Sequence, residues 1–306
     1  MGIPRGNSQD TRRRLLQLAG ILLAAALLSA CSVGQMVVRG SQTILDSGVD
    51  SMNRETDLEL AKAAMPANLK LIEGMLLEDP RNQELLLYAA QGFYGYSYGF
   101  IELEDSERAQ RLYRRCYRYA LTALEIAGLG LDPEAAAADE LEAATANLGK
   151  SAVPALFWSA SCLAKWIDLN RDDVSGIASL ASAATLMNRV LELDDAYYYG
   201  GPHMFFGVYY GGRSPMFGGN FELAEKHFRR ANEINQGRLL MVDLLQAEYL
   251  YRQQLNRTAF NDKLLYILDA PQGLYPEMAL VNAISKQRAV AATWVCCSMI
   301  SDTHTR

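Results

Sequence analysis

Helical periodicity from residue 55 onward is the feature that most restricts the fold of this chain. Apolar residues recur at steps of three and four, and the alternation typical of a half-buried strand is scarce. Prolines stand near proposed helix starts or in loops, where a missing backbone N–H costs little. The pattern predicts an all-α fold, with helices over residues 55–77, 81–100, 105–127, 150–169, 174–193, 197–211, 220–235, 238–254, 257–269 and 276–295.

Small and large residues on these helices recur in the order found in tetratricopeptide repeats. In the helix over 220–235, Ala224 is followed by Phe228 and then Ala231, and the preceding helix supplies Gly207 and Tyr210. Three less complete units contain Ala109, Tyr113 and Cys116, then Ala183, Met187 and Val190, then Ala247, Ala259 and Pro271. The series favours a degenerate tetratricopeptide-like helical repeat solenoid, and an ordinary helical bundle is the alternative.

The start of the chain has the order of an export signal. Arg12–Arg14 precede an apolar run over residues 18–28, which is too short to span a bilayer comfortably. The segment Leu28–Cys31 resembles the lipobox of bacterial lipoproteins, and the alternatives are an uncleaved anchor helix or a chance cysteine near a signal. We expect cleavage before Cys31 and acylation of that cysteine. Because Ser32 follows rather than an aspartate, we expect a periplasmic protein anchored to the outer membrane.

This signal divides the chain into four parts. Residues 1–30 are the predicted signal peptide, 31–53 a lipidated tether that could end in a helical turn, 54–295 the helical repeat domain, and 296–306 an atypical tail. Without the four arginines and one aspartate of residues 1–30, the 29 basic and 35 acidic residues become 25 and 34, a formal charge of −9. This balance argues against nucleic-acid binding, so acyl chains are the expected means of membrane attachment.

The chain carries no pattern typical of catalysis or metal binding. It contains no nucleophile elbow, phosphate loop or zinc-ligand spacing, so we expect no catalytic residues, cofactor or metal. His227 falls among cationic residues on a face expected to be solvated, whereas His203 could line a cleft or cap a helix. Cys116 and Cys162 lie on apolar helix faces, where buried free thiols are the simplest expectation, although the periplasm permits pairing.

Aromatic residues concentrate in three segments that the repeat register assigns to the first helix of a pair. These are Phe93–Phe100, the stretch with two tryptophans over 153–167, and the glycine-rich stretch 197–219. Because first helices line the concave face of a solenoid, we expect an aromatic inner cleft, with packing of repeat junctions as the alternative. The candidate ligand or partner site comprises Trp158, Trp166, Tyr197, Tyr198, Tyr199, His203, Tyr209 and Tyr210.

Three sequence blocks then occur in a particular order: residues 153–173 with both tryptophans, residues 186–201 with the tyrosine triplet, and Gly218–Asn220 with the helix that follows. In this order they resemble the T component associated with tripartite periplasmic (TRAP) transporters, over most of residues 60–290. The resemblance implies a periplasmic lipoprotein of degenerate tetratricopeptide repeats that can form a ring-like homotrimer. It also implies association with the TRAP-type solute-binding protein and a cleft or channel for a small organic solute. The resemblance ends after Ala289.

These observations lead to two functional hypotheses. The first is a non-enzymatic accessory lipoprotein of a TRAP solute uptake system. The alternative is an outer-membrane repeat lipoprotein that acts as a scaffold for envelope-assembly proteins. An aromatic passage that small molecules can reach favours the first hypothesis, whereas an exposed groove for peptide or protein favours the second.

We predict that replacing Cys31 with alanine abolishes acylation, because only the cysteine thiol can accept the lipid at this position. The measurement is incorporation of a fatty-acid analogue in a bacterial host, with a Ser32→Ala variant as the control. Equal labelling of the wild type and Cys31→Ala would contradict the prediction.

Overall fold

The computed structural model describes residues 16–17, 33–170 and 174–301, with side chains up to residue 293 except those of residues 33, 174, 175, 177 and 178. Throughout this part of the chain the protein is helical and contains no strand. The helices are α1 (Val33–Gly40), α2 (Gln42–Asn53), α3 (Leu58–Glu78), α4 (Gln83–Tyr96), α5 (Ser106–Ile126), α6 (Ala138–Ala146), α7 (Val153–Asp168), α8 (Val174–Leu193), α9 (Tyr197–Gly211), α10 (Phe221–Asn235), α11 (Leu240–Leu245), α12 (Arg257–Asp269) and α13 (Ala279–Ser301). Cys31, the lipobox and nearly all of the predicted signal peptide lie outside the described residues.

Short polar side chains fix where several helices begin. Asp57 accepts hydrogen bonds from the backbone N–H groups of Glu59 and Leu60 at 3.0 and 3.1 Å, so α3 begins three residues later than the pattern predicts. Asn220 and Asn256 cap α10 and α12 in the same way. The predicted helices 174–193 and 257–269 coincide with α8 and α12.

Successive helices pack against one another and build the core. α4 packs on α5, α5 on α7, α7 on α8, and α9 on α10. The short α6 lies in the segment between α5 and α7 and packs on α8. Two helices continue as π-helical turns, over Ser97–Ile101 after α4 and over Gln246–Tyr251 after α11. The described residues contain no helix with the length and apolarity needed to cross a membrane.

The contact between α9 and α10 depends on small residues, as the repeat pattern predicts. Ala224, Phe228 and Ala231 are fully buried. A Cβ atom added at Gly207 would lie 2.7 Å from a ring carbon of Phe228, so only glycine lets the two helices approach this closely. Both alanines are thus buried where α9 and α10 touch.

Cys116 and Cys162 are buried as expected, but the expectation of free thiols is wrong because they form a disulfide. Their Cα atoms are 5.8 Å apart, within the range that a disulfide bridges, because α5 packs directly on α7. The bond joins residues 46 positions apart, so loop closure in the unfolded chain contributes about 4 kcal/mol to stability. The side chains of Cys296 and Cys297 lie outside the described ones.

Residues 33–53 are more helical than the weak sequence pattern suggests. α1 and α2 occupy nearly all of the predicted tether, and both pack on the rest of the protein. Val38 is buried, and the Arg39 Nε lies 3.1 Å from an Asp79 carboxylate oxygen at the end of α3. The chain after residue 33 is therefore a fixed part of the fold.

We predict that Ala224→Leu and Ala231→Leu each lower the free energy of unfolding by about 1–3 kcal/mol, because the added carbons overpack a junction without free space. Chemical denaturation measures the change. Ala143→Leu, at an exposed position of α6, is the matched control and should leave stability nearly unchanged. Equal denaturation midpoints for all three variants would contradict the prediction.

Candidate functional site

A cavity of about 820 Å³ lies where the three aromatic segments meet. α4 and its π-helical turn contribute Tyr94 and Tyr98, α7 contributes Phe157 and Trp158, and α9 contributes two of its tyrosine triplet. Residues of α8, α11, its π-helical turn and α13 also line the cavity. The volume falls in the range typical of pockets for small organic molecules.

An unusual turn at the start of α9 aims tyrosine side chains into this region. Tyr198, Tyr199 and Gly200 have φ angles of 45°, 61° and 78°, in the left-handed region that non-glycine residues seldom adopt. The prediction of a continuous helix over 197–211 is therefore wrong at its first residues. A Cβ atom at the next position, Gly201, would collide with the ring of Phe157. The local strain is maintained because the surrounding aromatic packing fixes these side chains.

The cavity wall on this side is a continuous set of ring contacts. The ring centroid of Trp158 lies 4.9 Å from that of Tyr198 and 5.6 Å from that of Tyr94, both edge to face. Phe157 approaches Tyr198 at 5.4 Å. Such arrangements are favourable for aromatic quadrupoles and leave flat apolar surfaces facing the cavity. Desolvation raises the pKa of Tyr94 to about 12, so this phenol remains protonated and can donate a hydrogen bond.

The structure places four of the eight predicted site residues on the cavity wall: Trp158, Tyr198, Tyr199 and Tyr209. The other four lie elsewhere. Tyr197 packs on Phe157 with ring centroids 5.2 Å apart, and the Arg114 guanidinium lies 4.7 Å from the Trp166 ring. His203 and Tyr210 belong to a separate cluster around His227.

A buried cluster of charges adjoins the cavity. The Glu102 side chain is 7% exposed, and one of its oxygens lies 3.0 Å from Lys165 Nζ and 3.1 Å from Arg288 Nη2. Its other oxygen accepts a hydrogen bond from the Tyr113 hydroxyl at 2.6 Å. Burial by itself would raise the pKa of Glu102, but Lys165, Arg288 and the Tyr113 hydroxyl outweigh it, so the pKa is lowered and the carboxylate stays ionised.

Lys165 connects this cluster to the polar part of the cavity wall. Its Nζ also lies 3.1 Å from Asp168, whose carboxylate accepts a hydrogen bond from the Tyr249 hydroxyl at 2.6 Å. Arg213 also lines the cavity, and its guanidinium lies 3.9 Å from the centroid of the Tyr209 ring. The cavity therefore combines broad aromatic walls with one polar, charged region.

The histidines form a second, smaller site on α9 and α10. The Nδ1 atoms of His203 and His227 are 2.9 Å apart, and His203 Nε2 lies 3.4 Å from Asp195. His227 packs on Phe206 and Tyr210 and is half-buried, so the face expected to be solvated is only partly exposed at this residue. Burial, His203 and Lys226 lower the pKa of His227 to about 4. The described residues hold no group of three or more His, Cys, Asp or Glu side chains arranged for a metal ion.

Sequence reasoning missed part of the cavity wall. Tyr94 and Tyr98 lie in the recognised segment 93–100 but were not among the predicted site residues. Lys165 and Asp168 gave a weaker signal, as charged residues beside tryptophan on an apolar helix. Tyr249 gave none, because its part in the site depends on the distant packing of α11 against α9.

Comparison with known proteins assigns the chain to a family. The family described as TRAP transporter T-component matches residues 54–292, which span all the elements that form the cavity. The chain belongs to this family. It is thus a component associated with TRAP transport. The T-component family is not known for enzymatic activity. The chain is also 24% identical over 251 residues to an uncharacterized protein of Treponema pallidum (strain Nichols), covering 77% of this chain and 78% of that protein.

We predict that Glu102→Gln destabilises the protein by about 3–5 kcal/mol, because it leaves Lys165 and Arg288 buried without their shared counter-charge. Glu104→Gln is the matched control, since the exposed Glu104–Lys62 pair should contribute less than about 1 kcal/mol. Denaturant unfolding compares the two. Equal losses of stability would show that the buried cluster is not a major source of stability.

Proposed function

We propose that the protein is a non-enzymatic periplasmic lipoprotein that assists a TRAP solute uptake system and offers its aromatic cavity to a small organic ligand. One observation carries the proposal: three aromatic segments far apart in sequence converge on a single cavity of about 820 Å³. Packing of repeat junctions alone would not require such a space. The family assignment supports the transport context.

The chemistry of the wall fits a ligand that passes through. Ring faces of Trp158, Tyr198 and Phe205 can cover an apolar skeleton, while the polar region near Asp168 and Arg213 can orient a polar group. A protein that delivers its ligand must also release it. A dissociation constant in the micromolar range or weaker suits this role, which corresponds to a binding free energy of about −8 kcal/mol or weaker.

A repeat architecture and partner proteins complete the proposal. Fully buried Ala109, Ala183 and Ala224 occupy the small-residue positions of three proposed units, and this supports a degenerate tetratricopeptide-like solenoid. The solute-binding protein of the TRAP system is the proposed partner, and assembly as a homotrimer is part of the same proposal. Acylated Cys31 would anchor this assembly to the outer membrane.

We predict that deleting the gene reduces uptake of the solute of the associated TRAP system, and that a Trp158→Ala, Tyr198→Ala double variant fails to restore it. Removing both rings eliminates two adjoining parts of the aromatic wall, whose centroids lie 4.9 Å apart. Radiolabelled solute uptake is the measurement, and circular dichroism verifies that the variant is folded.

Tyr266→Ala is the control, since this tyrosine is 48% exposed and lies outside the cavity wall. It should restore uptake fully. Copurification of the full chain with the solute-binding protein tests the partner directly. Normal uptake by the folded double variant, together with retained binding of envelope-assembly proteins, would favour the scaffold alternative.

A further inference from the structure

The first two helices form an almost unbroken helical rod. Only Ser41 separates α1 from α2, and helical hydrogen bonds continue across it. The Ser41 N–H donates to the Val37 carbonyl at 3.1 Å, and the Leu45 N–H donates to the Ser41 carbonyl at 3.1 Å. Residues 33–53 can therefore be treated as one rod with an inner and an outer face.

The inner face fixes the rod to the domain. Val38 is buried, and Leu45 and Met52 pack against the main core. Arg39 pairs with Asp79 at the end of α3, so the beginning of the rod is also held. A contact made at the start of α1 therefore restrains the whole domain.

The outer face is apolar only near the beginning of the chain. Met36, Val37 and Ile44 are 69%, 62% and 73% exposed, and Leu77 of the adjoining α3 end is 82% exposed. We call these four residues the N-terminal apolar surface. Beyond Ile44 the exposed residues of the rod are polar or small: Asp46, Ser47, Gly48, Asp50 and Ser51. Single exposed apolar residues are ordinary on a protein surface. A change from exposed apolar residues to exposed polar or small residues along one helix face is not ordinary.

The position of the predicted lipid anchor identifies what covers this surface. Cys31 precedes the first residue of α1 by two positions. Val37 and Ile44 lie about 6 and 16.5 Å along the helix axis from Val33, and a helix that lies along the membrane surface buries its apolar face about 5–10 Å deep. The exposed apolar side chains thus lie within reach of the layer that would hold the acyl chains.

We propose that the N-terminal apolar surface rests in the interfacial layer of a lipid bilayer and holds the protein in a fixed orientation on the membrane. The inference rests on the lipid anchor of the proposed function and adds a second contact. Acyl chains on a flexible tether would leave the domain free to rotate. A docked rod with an apolar tip restricts the directions in which the cavity can face.

The test uses the full chain in a bacterial host with the photocrosslinking residue p-benzoylphenylalanine at one position at a time. It replaces Val37 or Ile44 in the proposed surface, Ser51 at the polar end of the same rod, and Leu265, which is 56% exposed on α12. After irradiation, mass spectrometry quantifies peptides bonded to phospholipid. The same spectra report whether Cys31 is acylated.

We expect phospholipid adducts at position 37 to exceed those at positions 51 and 265 several-fold, with position 44 between them. Acylated Cys31 with equal adducts at positions 37 and 265 would overturn the fixed orientation and leave the anchor intact. Covalent dimers formed from position 37 would overturn it in favour of a second copy as the occupant. Absence of acylation would refute the anchor of the proposed function, and with it this inference.

Discussion

The shared carboxylate of Glu102 is the interaction on which much of this structure depends. It joins Lys165 of α7 to Arg288 of α13, residues that are 123 positions apart in the chain. Three charged side chains and the Tyr113 hydroxyl meet where water is largely excluded, so removing Glu102 leaves Arg288 buried without the carboxylate it pairs with. The guanidinium of Arg288 also donates to the Tyr98 carbonyl at 3.0 Å and holds the π-helical turn in place.

This charged centre explains how a large cavity can persist inside a helical protein. An apolar space of this size would favour collapse of the surrounding helices, since interiors normally pack densely. Here Glu102, Lys165 and Arg288 connect helices on different sides of the cavity, and the Cys116–Cys162 disulfide ties α5 to α7. The left-handed turn at Tyr198 and Tyr199 adds strain, but it directs aromatic rings onto Trp158 instead of into solvent.

The N-terminal rod connects the core to the outside of the molecule. Its inner stripe, Val38, Leu45 and Met52, packs on the core, whereas Met36 and Val37 remain exposed. A helix that buries one face and exposes apolar residues on the other at a single end is suited to contact two environments. In the proposed arrangement, the orientation of the aromatic cavity relative to the membrane follows from helix packing.

The sequence by itself determined most of the helices after residue 55, because three- and four-residue periodicity, caps such as Asp57 and small residues such as Ala224 are local signals. It also determined family membership, which depends on blocks of residues in order. Only the tertiary structure decided that Cys116 pairs with Cys162, that His227 packs on Phe206, and that Trp158 reaches the cavity while Trp166 does not. Those outcomes depend on which helix faces meet across long sequence separations. Helical periodicity cannot distinguish one such pairing from another, because it is the same for all of them.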